Sequence, residues 1–295
     1  MTSMSLFSEY KKSLKMLEVE EILDLIIFRP PAFLLVKLIY RTPITPNQIT
    51  WLSLFFGVFG AFLITLGNAT AYFLAGISFI IYNILDCSDG QLARLQNSGT
   101  LTGRIVDGSA DYIVAVTSYL AIGFGFASNS NNPFLFWVLT VLAGLANALH
   151  SLALDYYRNQ FLDYALDRKS MLGEELEQFE AEYSRLIKSK KWSLDRFLIW
   201  VYLKYSRIQI KMSSKQTDIH NRIYNPKDYY KKNKRMIHLW TYIGPTTELT
   251  FMIICAFLNR WDIFLWGMVT VGNIYALILY IMQRSVNATI KKADS

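Results

Sequence analysis

Four aspartates lie close together in an otherwise apolar part of the sequence, in the stretch DCSDGQLARLQNSGTLTGRIVDGSAD. They are Asp86, Asp89, Asp107 and Asp111. No Asp, Glu, Lys or Arg occurs from 42 to 85 or from 112 to 154. Residues three or four positions apart share one face of a helix, so each pair can project from one helix. We expect the short connection at 95–103 to fold the two helix ends into a hairpin in which the carboxylates meet.

Four carboxylates in one pocket predict a metal site. Like charges repel strongly at low dielectric unless some are protonated or cations lie between them. Ligation by oxygen alone suits Mg²⁺ or Mn²⁺, and two such ions can clamp a diphosphate during in-line displacement at phosphorus. Small residues at Gly90, Ala93 and Gly103 would let a ligand approach the backbone, and Arg94 can offer a bidentate fork to a phosphate.

Each of these residues alone has a structural alternative. Aspartates at helix ends act as solvated caps, and glycine or alanine marks close helix packing in membranes. The alternative fails for the set, because Asp107 and Asp111 lie one and two turns inside an apolar segment, where carboxylates are costly and usually functional. The pattern therefore predicts a metal-dependent pyrophosphate site.

The composition predicts an all-α integral membrane protein. Of 295 residues, 53% are hydrophobic and 18% charged, against about 25% charged in soluble domains. A crossing needs about 20 apolar residues, so each uncharged stretch holds two. Thr45 can cap the first span, with Pro46 in its first position. The six predicted transmembrane helices are 47–68, 71–92, 103–126, 133–155, 238–257 and 263–283.

The rest of the chain divides around these helices. The predicted parts are 1–41 (N-terminal cytoplasmic or interfacial helices), 42–160 (spans one to four), 161–236 (a cytoplasmic helical insertion) and 237–295 (spans five and six with a tail). The polar start lacks the apolar core of a cleavable signal peptide. An amphipathic helix is expected at 7–27, and 30–40 can lie in the bilayer interface. Cys87 and Cys255 show no framework spacing and are expected to be free thiols.

The insertion carries seventeen basic and ten acidic residues. Basic residues mark the cytoplasmic side of a membrane protein, so we expect the aspartates and both termini to face the cytoplasm, at the plasma membrane in a prokaryote. The run at 197–203 is too short to span and would pack within the insertion or lie on the bilayer. Nucleic-acid binding fits poorly, because the charge lies next to membrane ends. An amphipathic helix is predicted from the spacing of Leu172, Leu176, Phe179, Tyr183 and Leu186.

The arrangement D86-x2-D89-G90-x2-A93-R94-x8-G103-x3-D107-x3-D111 matches in full, and so resembles, the signature of the CDP-alcohol phosphotransferase (CDP-alcohol phosphatidyltransferase) family. Enzymes of that family cleave the pyrophosphate of a CDP-linked alcohol, pass its phosphoryl-alcohol part to a second alcohol and release CMP. The resemblance covers the six-helix core and implies a homodimer.

The same resemblance implies roles for single residues. The four aspartates would hold two ions, Mg²⁺ or Mn²⁺, and Asp111 would be the general base. Gly90, Ala93, Arg94 and Gly103 would border the CDP moiety. The element P46-N47-Q48-I49-T50 is similar to one at the family's first span, which adds three nucleotide candidates whose alternative role is helix capping: Asn47, Thr50 and Thr100.

Further polar residues interrupt the later spans. Intramembrane ionisable residues are functional candidates by default, so these could bind the acceptor alcohol, although an Asp–Arg pair at a helix end is often an interhelical tie. The candidates are His150, Ser151, Asp155, Arg158 and Glu248.

The favoured function is a metal-dependent transferase of substituted phosphate groups in phospholipid biosynthesis. The expected donor is CDP-diacylglycerol, and the expected acceptor is a polyol, inositol phosphate, glycerol 3-phosphate or serine. A CDP-choline or CDP-ethanolamine enzyme acting on a lipid alcohol is the alternative. An ion-coupled transporter would need an acidic path across the bilayer, whereas these aspartates crowd one side. A non-catalytic scaffold has no need of four mutually repelling carboxylates.

Overall fold

The computed structural model describes residues 6–14, 18–165, 171–188, 196–200, 202–204 and 224–291. Within these ranges the architecture is all-α, as predicted. The helices are α1 (Leu6–Ser13), α2 (Arg29–Ile39), α3 (Pro46–Thr65), α4 (Ala69–Gln96), α5 (Leu101–Gly125), α6 (Pro133–Ala165), α7 (Met171–Lys188), α8 (Pro226–Trp240), α9 (Pro245–Phe257), α10 (Trp261–Trp266) and α11 (Asn273–Ala288). Short π-helical segments span Asp24–Phe28 and Gly267–Gly272, and 3₁₀ turns span Ala127–Asn129 and Thr241–Ile243.

Five helical segments of the described chain are long and apolar enough to cross a membrane. They are Pro46–Thr65, Ala69–Gln96, Leu101–Asn129, Pro133–Ala165 and Trp261–Ala288. The prediction of a sixth long span at 238–257 is wrong, because α8 ends at Trp240 and α9 has only 13 residues. Gly244 and Pro245 separate them, since proline occupies the first turn of a helix and cannot continue one. The length of α9 is about 20 Å, against the roughly 30 Å of a bilayer core.

The short helix α9 nonetheless carries the chain from one end of the bundle to the other. At its start, the Thr246 N–H donates to Glu21 of the N-terminal segment at 3.1 Å. Just beyond its end, Trp261 packs edge-on against Tyr72 in the first turn of α4. The chain then returns, and Lys291 lies beside the start of α8, where its N–H donates to Asp228 at 2.9 Å. The N-terminal segment and the end of α11 therefore lie at the same end of the bundle.

Helix α3 is the central element that positions both halves of the aspartate motif. Its start is as predicted: Thr45 forms a capping box with Gln48, and Pro46 occupies the first turn. Both α4 and α5 pack closely along α3 and make few close contacts with each other. At Gly57, an added Cβ would lie 2.4 Å from Val114 of α5 and 3.2 Å from Tyr82 of α4. The missing side chain lets both helices approach α3 closely.

The N-terminal region is divided differently from the prediction. The amphipathic segment predicted at 7–27 is interrupted, because α1 ends at Ser13 and helical structure resumes at Asp24. Helix α2 buries one side, including Phe33 and Val36, and exposes Leu34 and Leu38. Exposed leucines on a short basic helix are typical of a helix in the bilayer interface.

The insertion contains the predicted amphipathic helix, α7, and it docks on α5. Phe179 is 2% exposed and packs with Ile199 and Leu203 against the first turns of α5. Arg104 of α5 lies over the Phe179 ring, 5.8 Å from its centroid. The described residues of the run at 197–203, which are 197–200 and 202–203, therefore pack within the insertion through Ile199 and Leu203. The side chains of Leu172 and Leu176, also predicted for this face, lie outside the described residues.

Phe179→Ala is expected to release the insertion from α5. Replacing a buried phenylalanine by alanine typically costs about 3–5 kcal/mol. Because Phe179 contacts one end of α5, the loss should appear as faster amide hydrogen exchange in α7 and in the first turn of α5. Phe197→Ala, at a side chain 44% exposed in the same insertion, is the matched control. Equal exchange in the two variants would contradict this packing.

Candidate active site

Three of the four motif aspartates meet at the ends of α4 and α5. One carboxylate oxygen from each of Asp86, Asp89 and Asp107 lies within 4.8 Å of the other two. Asp89 is buried and the other two are half-buried. The Oδ1 atom of Asp86 is buried and has no hydrogen-bond partner in the part of the chain that the structure describes. Three carboxylates at this separation, one with an unsatisfied oxygen, form a strongly anionic pocket suited to a cation.

Asp111 adjoins this group from one turn further along α5. Its Oδ1 accepts a hydrogen bond of 2.7 Å from the Tyr82 hydroxyl of α4. It interacts electrostatically with Asp86 and is the most exposed of the four aspartates. The four carboxylates were predicted to meet. Three of them do so, and the fourth, that of Asp111, lies beside this group and is hydrogen-bonded to Tyr82.

Two residues of α3 reach the motif. The Thr50 hydroxyl lies 2.5 Å from Asp89 Oδ2 and 3.2 Å from the Pro46 carbonyl oxygen. Asn47 lies against Gly103, where an added Cβ would be 2.7 Å from the amide oxygen. Thr50 therefore orients a motif carboxylate, which is a third role beside the two considered for it. A side chain at position 103 would require Asn47 and Thr100 to shift.

Thr100 has the structural role that was its predicted alternative. It is the N-cap of α5, and its hydroxyl accepts the Gly103 N–H at 2.9 Å. The preceding Asn97 ends α4 in the left-handed region, at φ 49°. These two caps make the connection between α4 and α5 only four residues long and hold the helix ends of the motif together.

The guanidinium group of Arg94 lies next to the position that a side chain at residue 90 would occupy. A Cβ at Gly90 would lie 3.2 Å from an Arg94 guanidinium nitrogen. The Arg94 Nε donates to the Ser13 carbonyl oxygen at 2.5 Å. Half-buried Ala93 lies one residue away, and its Cβ would be 4.0 Å from one added at Gly99. The motif arginine is therefore anchored by the N-terminal region of the chain.

The residues 18–29, which we call the N-terminal strap, connect several helices at the aspartate end. Arg29 forms a buried ion pair with Glu20, and its carbonyl oxygen accepts from Gln91 of α4 at 3.2 Å. Cys87, a free thiol as predicted, lies 3.6 Å from Asp24. The strap also reaches α6, since Arg158 Nε donates to the Val19 carbonyl oxygen at 3.1 Å. Sequence reasoning missed this role, because the partners are far apart in the chain.

Glu21 makes the strap sensitive to pH. Burial and the neighbouring Asp24 raise the pKa of the Glu21 carboxyl to about 8, while Arg158 and the N–H groups of Thr246 and Thr247 lower it. The fold prefers the protonated form, so its stabilisation is complete below the ordinary pKa of 4.5 and is lost as pH rises through about 8.

Glu21→Gln is therefore expected to flatten the dependence of thermal stability on pH between about 5 and 9, because the amide stays neutral. The measurement is the unfolding temperature of the purified protein in detergent across that range. Glu9→Gln, at a surface glutamate paired with Lys37, is the control and should follow the wild type. Parallel curves for all three proteins would refute the assignment.

The polar residues of the later spans form interhelical contacts. Glu248 of α9 lies 2.5 Å from His150 Nδ1 and accepts from Asn147, both on α6. His150 Nε2 lies 3.2 Å from Asn273, at the start of α11. These contacts join α6, α9 and α11 within the bundle.

The remaining acceptor candidates lie on α6. Asp155 and Arg158 form an ion pair of 3.3 Å, and Ser151 is half-buried beside His150. The Asp155–Arg158 pair lies within α6 and so does not connect two helices, whereas Arg158 also donates to the Val19 carbonyl oxygen of the strap. Acceptor binding stays a prediction.

The residues at the aspartate end fit a divalent cation of the Mg²⁺ or Mn²⁺ kind. Its described donors are carboxylate oxygens, which such hard cations prefer over nitrogen or sulfur. The unsatisfied Asp86 oxygen is the kind of atom that a bound cation would satisfy.

Comparison with known proteins bears on the same region. No curated protein matches the chain. A family model described as CDP-alcohol phosphatidyltransferase matches residues 43–163, which include α3, α4, α5 and nearly all of α6. All eight signature positions fall inside that match. Residues 43–163 of the chain are therefore similar to the CDP-alcohol phosphatidyltransferase family, the family whose signature the aspartate motif resembles.

Proposed function

We propose that the protein is a membrane phosphotransferase that cleaves the pyrophosphate bond of a CDP-linked alcohol and releases CMP. The observation that carries this proposal is the gathering of Asp86, Asp89 and Asp107 within 4.8 Å at the ends of two apolar helices. A carboxylate group of this kind is costly beside a membrane unless it holds cations.

The four aspartates would hold two divalent cations, Mg²⁺ or Mn²⁺. When bound, these ions stabilise the negative charge that develops on the pyrophosphate oxygens. Thr50 holds Asp89 in the orientation needed for this role, through the 2.5 Å contact.

The nucleotide would lie along the motif beside the ions. Gly90 and Gly103 provide backbone without side chains, and Arg94 supplies a guanidinium fork for a phosphate. Ala93, Asn47, Thr50 and Thr100 complete the proposed surroundings of the CDP moiety. Arg94 acts from a fixed position, because its Nε is held by the Ser13 carbonyl oxygen.

Asp111 would be the general base. It is the most exposed of the four aspartates, so an acceptor alcohol can reach it. The acceptor hydroxyl gives its proton to Asp111, its oxygen forms a bond to the phosphorus that carries the donor alcohol, and the bond to the CMP phosphate breaks. CMP leaves with the electron pair of that bond.

The proposed donor is CDP-diacylglycerol, and the proposed acceptor is a polyol or polyol phosphate, with glycerol 3-phosphate as a close competitor. The basic insertion supports an orientation with the site facing the cytoplasm, because its docked helix α7 lies against the start of α5. A homodimer is proposed from the family resemblance.

The test is incubation of the purified protein with CDP-diacylglycerol, Mg²⁺ or Mn²⁺, and a panel of alcohols, with CMP and lipid products identified by mass spectrometry. The proposal predicts metal-dependent CMP release that requires an acceptor. Turnover only of CDP-choline or CDP-ethanolamine with a lipid alcohol would reverse the assignment of donor and acceptor. Absence of CMP release from all CDP-alcohols would overturn the proposed activity.

A further inference from the structure

We propose that Tyr82 is a positioning residue for Asp111, and that its hydroxyl fixes the orientation of the base carboxylate. This inference rests on the proposed function. Tyr82 lies one turn before Asp86 and is not one of the eight signature positions. Its hydroxyl donates to Asp111 Oδ1 at 2.7 Å, which connects α4 to α5.

The Tyr82 ring is held firmly enough for this role. Tyr82 is 6% exposed and packs in the hydrophobic core of the bundle, as does Val114 of α5. The ring edge also lies beside Gly57, which provides the space for it on α3. A ring packed against two other helices has little rotational freedom, so its hydroxyl is a fixed reference point for the carboxylate.

The hydrogen bond from Tyr82 also accounts for the position of Asp111 beside, and not within, the group of the other three aspartates. Asp86, Asp89 and Asp107 gather within 4.8 Å, whereas Asp111 is bonded to the tyrosine. A phenol donating to a carboxylate fixes the rotation of that carboxylate and offsets part of the repulsion from Asp86. Tyr82 therefore holds Asp111, the proposed base, in one orientation beside the other three aspartates.

The test compares Tyr82→Phe with Tyr72→Phe. Tyr72 is a matched control because it is a buried tyrosine of the same helix whose hydroxyl donates to the Gly125 carbonyl oxygen at 3.0 Å, at the other end of α4. Both substitutions remove one hydrogen-bonded hydroxyl and leave the ring in place.

In Tyr82→Phe we expect kcat to fall by about tenfold or more while KM for the CDP donor changes by less than about twofold, because positioning acts on the reaction step rather than on donor binding. Tyr72→Phe should keep both constants. A parallel titration of metal-free protein with Mn²⁺, followed by electron paramagnetic resonance, should show weaker binding in Tyr82→Phe alone, because a misaligned Asp111 is a poorer ligand.

Unchanged kcat and Mn²⁺ binding in Tyr82→Phe would overturn the proposal. So would equal losses in both variants, which would indicate a general effect on folding. The two readouts also separate this inference from the proposed function. If the wild type releases no CMP from any CDP-alcohol, the function fails, and the Mn²⁺ titration alone still decides whether Tyr82 positions Asp111.

Discussion

Asp107→Asn is expected to lower CMP release by about 10³-fold or more, the equivalent of roughly 4 kcal/mol of transition-state stabilisation. The amide keeps the shape of the side chain but weakens its hold on a cation. The same change removes one of three like charges within 4.8 Å. Metal-free Asp107→Asn should therefore unfold at a higher temperature than the metal-free wild type. Lower activity together with higher stability identifies a functional carboxylate.

Asp262→Asn is the matched control for this prediction. Asp262 follows α9 at the opposite end of the bundle and pairs with Arg260 at 2.7 Å. An exposed pair of this kind contributes about 0–1 kcal/mol, so activity and stability should stay close to the wild type. Retained CMP release in Asp107→Asn would contradict the metal site, and a fall in its metal-free stability would contradict the repulsion among the aspartates.

Gly57→Val is expected to give the second largest effect, because it acts on the helix that positions both halves of the motif. Its first added carbon would lie 2.4 Å from a methyl group of Val114 and 3.2 Å from the Tyr82 ring. Overpacking of a core typically costs about 1–3 kcal/mol. Val114 and Tyr82, or the helices that carry them, have to shift, which would disturb the Tyr82–Asp111 hydrogen bond. We expect a lower unfolding temperature and a loss of CMP release of more than about tenfold.

Gly108→Ala provides the control for a glycine within a helix. It lies on α5 next to Asp107, and an added Cβ there meets no atom within 4 Å. Alanine favours a helix over glycine by about 1 kcal/mol, so this variant should be as stable as the wild type or more so. If Gly57→Val kept full activity, close packing on α3 would not be what holds the site together.

The aspartate motif and the apolar helices were predictable because both depend on local spacing. Helical periodicity placed Asp86 and Asp89 on one face, and the length of the uncharged runs located the first four spans. The break before α9 had a local signal as well, in Gly244 and Pro245, but apolar residues on both sides favoured one continuous span. Because proline has no backbone N–H to donate and its ring clashes with the preceding turn, the helix breaks there despite the hydrophobic pattern.

The strap and the supporting hydrogen bonds were not predictable, because their partners are distant in the chain. Glu21 meets Thr246 across 225 positions, and Thr50 meets Asp89 across 39. Glu248 had no local partner in the sequence, yet it lies beside His150, 98 positions away. Such contacts depend on how the helices pack, which periodicity within one helix does not specify.

The proposed metal site can be tested directly by a structure of the protein with Mn²⁺ and CMP, with the metal located by anomalous scattering. We expect two manganese peaks bounded by Asp86, Asp89, Asp107 and Asp111, with the CMP phosphate beside them. Manganese bound elsewhere, with CMP away from α4 and α5, would contradict it.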